Sequence, residues 1–307
     1  METPNKSKPS GRHNPLNDYL FLRVMGEKGD EGQLLGFLNA TLGRSDENRL
    51  SSVEILEDKT FSPEFLGNKA SILDIRARLY DGTMVNIEVQ LRNLGNMDKR
   101  SLFYWSREYS KGIKEGEDYT ILPNVITINI IDFEFLEAEN FHTVFHLRED
   151  KEKDFVLTGV LEIHFLDMVK WRRLREKDLA NEPLHRWLTW FDESSPPELV
   201  AEVVKMDNAI RLAEEKQEYV LSDEDAIRAY ERRQKMQWDL NSLENSALLK
   251  GRTEGHAKGL AEGHAEGEAV GFERANLEIA RKMKARGRPL AEIAEYTDLS
   301  SELIENL

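Results

Sequence analysis

The chain has 307 residues, of which 40% are hydrophobic and 32% charged, with a net charge of −15 and no cysteine. That length supports one substantial core with appendages, and the lack of cysteine excludes disulfides, thiolate metal sites and cysteine nucleophiles. The acidic balance works against nucleic-acid binding except through a locally basic face.

A mean hydropathy of −0.57, no apolar run of membrane-spanning length and an N-terminus without a signal-peptide core predict a soluble, cytoplasmic protein with no membrane partner. Residues 1–14 are polar and contain Pro and Gly, which predicts a disordered segment. A helix is expected from near Pro15, with Leu16, Tyr19, Leu20 and Val24 as its apolar stripe, and a second over Glu31–Leu42 ending at Gly43. A β-hairpin follows, then a helix from about Met97 to Lys114. Val125–Ile131 is almost continuously apolar, the mark of a strand buried on both faces, and further strands are expected at Thr143–Leu147 and Val160–Leu166. Residues 15–180 therefore read as an α/β domain.

From 181 to 249 the pattern is helical. Trp187, Leu188, Trp190 and Phe191 at helical spacing read as core, and helices are expected over Pro197–Glu218 and Asp223–Leu249. Over 250–274 a glycine recurs every fourth residue, from Gly251 to Gly271. Each mid-helix glycine costs about 1 kcal/mol relative to alanine. Close approach of a second helix along the glycine stripe offsets that cost, so a homo-oligomer formed through the C-terminal helices is expected, with a flexible linker as the alternative. Residues 275–307 read as a small helical module. Its spacing is that of a helix-turn-helix, but Ser300–Leu307 has two glutamates and no basic residue, which favours packing over DNA reading.

The hairpin carries the chemistry. Along Ile72–Leu79, residues Ile75, Ala77 and Leu79 share one face while Asp74, Arg76 and Arg78 share the other; along Val85–Leu91, Asn86, Glu88 and Gln90 oppose Val85, Ile87 and Val89. A two-residue turn at Asp81-Gly82 would set Asp74 against Val89, polar against apolar. A three-residue loop or a glycine bulge instead places Asp74 opposite Glu88 or Gln90. Two close carboxylates repel unless a cation lies between them, and hard oxygen ligands on a rigid sheet suit Mg²⁺ or Mn²⁺. The same alternation also describes the wet face of an ordinary sheet. No phosphate loop, dinucleotide fingerprint or His-Glu-x-x-His motif offers a competing site.

Several short motifs occur in order: Asn17-Asp-Tyr-Leu-Phe21, Phe37-Leu-Asn39, Lys69-Ala-Ser-Ile-Leu-Asp74, Asn86-Ile-Glu-Val-Gln90, Arg100-Ser-Leu-Phe-Tyr-Trp105 with Tyr109, Phe145-His-Leu147 and Glu162-Ile-His164. Together with the glycine tail, this series resembles the Rpn family of recombination-promoting, transposase-type nucleases within the PD-(D/E)XK superfamily. The resemblance implies a restriction-endonuclease-like core, a mixed central sheet flanked by helices, with an all-helical C-terminal extension. It implies Mg²⁺-dependent hydrolysis of DNA phosphodiester bonds, with Mn²⁺ as a substitute. Asp74 and Glu88 match the family's metal-binding acids, Gln90 stands where the superfamily usually carries lysine, and Asp18 matches an acid at the metal's periphery. Arg100 and Tyr104, one helical turn apart, and Lys69 become phosphate contacts, with Arg76, Arg78, Arg92 and Lys99 adding to a positive face. Where the family usually has Phe-Lys after the first-helix acid, this chain has Phe21-Leu22. A scaffold or regulator that keeps the fold without the chemistry is the alternative.

Overall fold

The computed structural model describes residues 12–56 and 75–307. Two of the expected site residues, Lys69 and Asp74, lie outside the described residues. A mixed six-stranded sheet has the order β1-β2-β3-β4-β6-β5, where β1 is Val53–Ile55, β2 Ile75–Leu79, β3 Met84–Gln90, β4 Val125–Ile131, β5 His142–Phe145 and β6 Leu161–Asp167. β1, β2 and β3 run antiparallel, β3, β4 and β6 run parallel, and β5 closes the edge antiparallel to β6. Parallel neighbours need a crossover between them; helix α3 (Met97–Ser110) provides the one between β3 and β4.

The sheet's apolar face packs on α1 (Asp18–Met25), α2 (Glu31–Thr41), α4 (Met168–Arg173), α5 (Pro183–Phe191), α6 (Pro197–Met206) and α7 (Asn208–Val220) around one large core. In α1 the Asn17 side chain accepts from Leu20 N, satisfying one of the helix's free N–H groups. Phe37 of α2 meets Trp187 and Phe191 of α5 edge-on, so the aromatic run read as core lies in the core. Gly36 lets α2 and α7 touch: a Cβ there would lie 2.2 Å from Ala209 Cβ. Every residue of β4 is buried, as its apolar run requires.

The hairpin is closed by the three-residue loop Tyr80-Asp81-Gly82. Leu79 N donates to Thr83 O, Thr83 N donates to Asp81 Oδ1, and Gly82 has φ +87. Only glycine takes that conformation without strain, and a glycine there is the usual end of such a loop. The register is Ile75↔Ile87, Arg76↔Asn86, Ala77↔Val85 and Arg78↔Met84, so the polar residues of the two strands share a face.

Three expected boundaries move. α3 stops at Ser110 rather than near Lys114, and Gly112 beyond it is pressed against Pro123. The expected helix Pro197–Glu218 is two helices, because Asp207 is extended and caps α7 by accepting from Ala209 N. The expected stop near Leu249 is absent: α8 runs unbroken for 62 residues, Glu224–Ala285, through all six repeat glycines.

By compactness the chain divides into a unit ending at Lys235 and a unit Met236–Leu307. The second has its own small core, in which Ala280 of α8 packs with Ile293 of α9 (Leu290–Thr297) and Ile304 of α10 (Ser301–Glu305). Asp298 takes a left-handed conformation between α9 and α10, and the Ser300 side chain caps α10. Among the described residues no helix is long and apolar enough to cross a membrane.

Candidate active site

The sheet face that carries Asn86 and Glu88 is not wet. It lies under α3, whose inward side is polar. Residues 97, 100, 101, 104 and 108 recur at helical spacing, and three of them, Met97, Ser101 and Glu108, are buried. Arg100, Ser101 and Glu108 each meet the sheet. Glu108 accepts from Arg76 Nη2 at 2.6 Å and from Lys111 Nζ at 2.8 Å. Burial alone raises the Glu108 pKa, but the hydrogen bonds and charges of Arg76 and Lys111 outweigh it and hold the carboxyl below its ordinary range. Ser101 Oγ donates to Asn129 Oδ1 of β4, and Asn129 Nδ2 donates to His164 O of β6.

Glu88 is the centre of this layer. The residue is 1% exposed. Its Oε1 accepts from Arg100 Nε at 2.6 Å and from Gln90 Nε2 at 2.7 Å, and lies 2.5 Å from Arg100 Nη2. Its Oε2 is buried and has no hydrogen-bond partner among the described residues, and the same is true there of Asn86 Nδ2 and Thr127 Oγ1, cross-strand neighbours on the same strip. A buried carboxylate oxygen left bare costs free energy comparable to a lost hydrogen bond. The bare oxygen suits a hard cation or a water. The strip opens at the C-terminal end of β3, where Gln90 is half-buried.

The structure thus brings Glu88, Gln90 and Arg100 together, with Tyr104 beneath the Arg100 guanidinium at 5.4 Å from the ring centroid. It does not bring Asp18 to them: the Asp18 carboxylate accepts from Tyr19 N and faces Arg233 Nη1 at 3.5 Å. Burial raises the Asp18 pKa, and Arg233 opposes the rise. Among the described residues no group of three or more His, Asp and Glu side chains is arranged to hold a metal.

The expected positive face is largely compensated. Arg76 pairs with Glu108, Arg100 with Glu88 and Arg78 with Glu54, whereas Lys99 is exposed and has no ion pair among the described residues.

Two features escaped the sequence reading. The Arg76–Glu108 pair was legible only in the spacing Arg100, Tyr104, Glu108, one position per turn. A second cluster joins His142 Nε2 to His164 Nδ1 at 2.9 Å and His164 Nε2 to Glu162 Oε1 at 2.6 Å, across β5 and β6. Burial, with the neighbouring His164 second, lowers the His142 pKa to about 4. Glu162 and His164, two apart on one strand, are the sequence signal for that contact.

A family model for PD-(D/E)XK nuclease family transposases matches residues 15–247. The chain belongs to that family. The match covers the sheet, α3 and the first part of α8, and agrees with the resemblance carried by the short motifs. Comparison with curated proteins and with solved structures gave no match. Nucleases of the PD-(D/E)XK type typically use divalent metal ions.

Proposed function

We propose that the chain is a metal-dependent DNA endonuclease whose centre is Asp74, Glu88 and Gln90, with Mg²⁺ the cofactor and Mn²⁺ its substitute. The observation that carries this reading is the Glu88 carboxylate, buried on a nuclease-family sheet with one oxygen saturated and the other bare. In the sequence Asp74 directly precedes Ile75, and Ile75 is paired with Ile87, the neighbour of Glu88. Two carboxylates are the kind of donor set that a hard divalent cation prefers. When bound, such a cation supplies an acidified water and positive charge beside the phosphoryl oxygens.

The chain's own residues do the rest. Glu88 holds Gln90 by its amide N–H, fixing which way the amide faces. The second N–H and the carbonyl oxygen of Gln90 remain to orient a water, without the positive charge a lysine would bring. Arg100 and Tyr104 contact the phosphate flanking the scissile bond, with Lys69 a further phosphate contact.

Self-association through α8 belongs to the same reading. The repeat glycines face open space, and Leu260 and Phe272 among them are exposed.

Nicking of supercoiled plasmid DNA with Mg²⁺ tests the activity. Nicking that survives both Asp74→Ala and Glu88→Ala refutes the site. No nicking by the parent, with no metal bound in calorimetry, favours the non-catalytic scaffold.

A further inference from the structure

Arg100 approaches Glu88 in an uneven way. Arginine and carboxylate usually meet as a fork, two parallel N–H bonds to two oxygens. Here Nε and Nη2 both converge on Oε1, at 2.6 and 2.5 Å, and Gln90 adds a third donor to the same oxygen. Among the described residues Oε2 has no hydrogen-bond partner, although the side chain is 0% exposed. The pair is therefore charge-neutralised but not hydrogen-bond-saturated, an arrangement that costs stability unless Oε2 serves another ligand. Arg100 also has a second seat within reach, since its guanidinium already lies 5.4 Å from the centroid of Tyr104, one turn along α3.

We propose that Arg100 is the resident counter-charge of Glu88 and competes with the divalent cation for that carboxylate, so that its guanidinium sets the metal affinity of the site. The inference rests on the metal reading above and adds to it a residue that acts through Glu88. Without metal, Arg100 holds the Glu88 carboxylate in place. A divalent cation held by Glu88 would share that carboxylate with the guanidinium. Their repulsion would weaken metal binding and favour the guanidinium's seat beside Tyr104, from which it would reach a phosphate. Arg100 is thus a positioning residue whose charge is handed from protein to substrate.

The test is Mn²⁺ binding by calorimetry to the full chain and to Arg100→Gln and Arg100→Lys. A like charge about 4–6 Å away shifts proton affinities by one to three powers of ten, and a metal should respond at least as strongly. Arg100→Gln should therefore bind Mn²⁺ about tenfold or more tightly than the parent, with a lower melting temperature when metal-free. Arg100→Lys, which keeps the charge, should stay within about threefold of the parent. In the unaltered protein, the Arg100 Nε–H resonance, assigned from its loss in Arg100→Gln or Arg100→Lys, should be protected from exchange without metal and lose that protection on saturation with Mg²⁺. That measurement decides the matter if Arg100→Gln does not fold. Equal or weaker Mn²⁺ binding by folded Arg100→Gln, or an Nε–H signal indifferent to Mg²⁺ in a protein that binds it, overturns this inference and leaves the metal site standing. No Mn²⁺ binding by the parent or by any variant overturns both.

Discussion

Glu108→Gln is expected to loosen α3 from the sheet by ~2–3 kcal/mol, because it removes the acid that anchors Arg76 from below. Breaking one partner of a fully buried ion pair costs about 3–5 kcal/mol. The figure is discounted here because the Arg76 side chain is 19% exposed against 8% for Glu108, so water relieves part of the stranded charge. In a unit of this size that corresponds to a fall in Tm of roughly 4–12 °C. The assay is urea or thermal unfolding of the parent, Glu108→Gln, Arg76→Met and the double variant. The double variant removes both charges and should cost less than the sum of the singles, with a coupling of about 1–3 kcal/mol. The pH dependence has a definite sign. The Glu108 carboxyl is held below its ordinary value in the fold, so its contribution is fully present above the unfolded pKa of about 4.3 and is lost as pH falls through the lower folded value. The deficit of Glu108→Gln should therefore shrink at acid pH. Singles that add within about 0.5 kcal/mol, with a deficit independent of pH, would refute the idea that this pair holds α3 down.

Other consequences can be measured on the same protein. Gly36→Ala should cost about 1–3 kcal/mol by overpacking against Ala209, and Ala209→Gly should restore much of the loss in thermal unfolding; a neutral Gly36→Ala contradicts the close approach of α2 and α7. In α8 the logic reverses: Gly259 faces open space, so Gly259→Leu should keep or raise the helical circular-dichroism signal. If the glycine stripe seats a second copy, the same change should lower the oligomeric state in sedimentation, and an unchanged state refutes self-association there. His142 has a pKa lowered to about 4, while an unfolded histidine titrates near ~6.5. The unfolded chain therefore takes the proton first, and stability present above ~6.5 is lost as pH falls toward the folded value. His142→Phe should flatten that part of the Tm–pH profile, and an unchanged profile argues against the His142–His164 contact.

The parts of the fold legible in the sequence are those where one physical rule decides. Val125–Ile131 is almost continuously apolar because both of its faces are covered, and the hairpin alternation fixes an odd loop because an even one sets polar against apolar. Asp207 was harder to read: a single capping aspartate splits what periodicity presents as one helix. The six glycines were read as helix-compatible, but where α8 ends depends on Gly287, which at φ +73 lies just beyond the helix, rather than on any glycine inside it. At the site, the sequence named Glu88, Gln90, Arg100 and Tyr104 separately but not how they meet. The polar face of the hairpin is indistinguishable in one sequence from a solvated one, because the cover comes from α3, a separate element beginning at Met97. The contact that pairs Arg100 with Glu88 is a tertiary fact with no local signature.

The central claim is that the Glu88 strip is a metal-dependent nuclease centre, and plasmid nicking tests it most directly. The account predicts that the full chain nicks supercoiled DNA with Mg²⁺ or Mn²⁺, that chelation abolishes the reaction, and that Glu88→Ala and Asp74→Ala each remove it while folded structure persists. Cleavage by a folded Glu88→Ala protein at the parent's rate would contradict it.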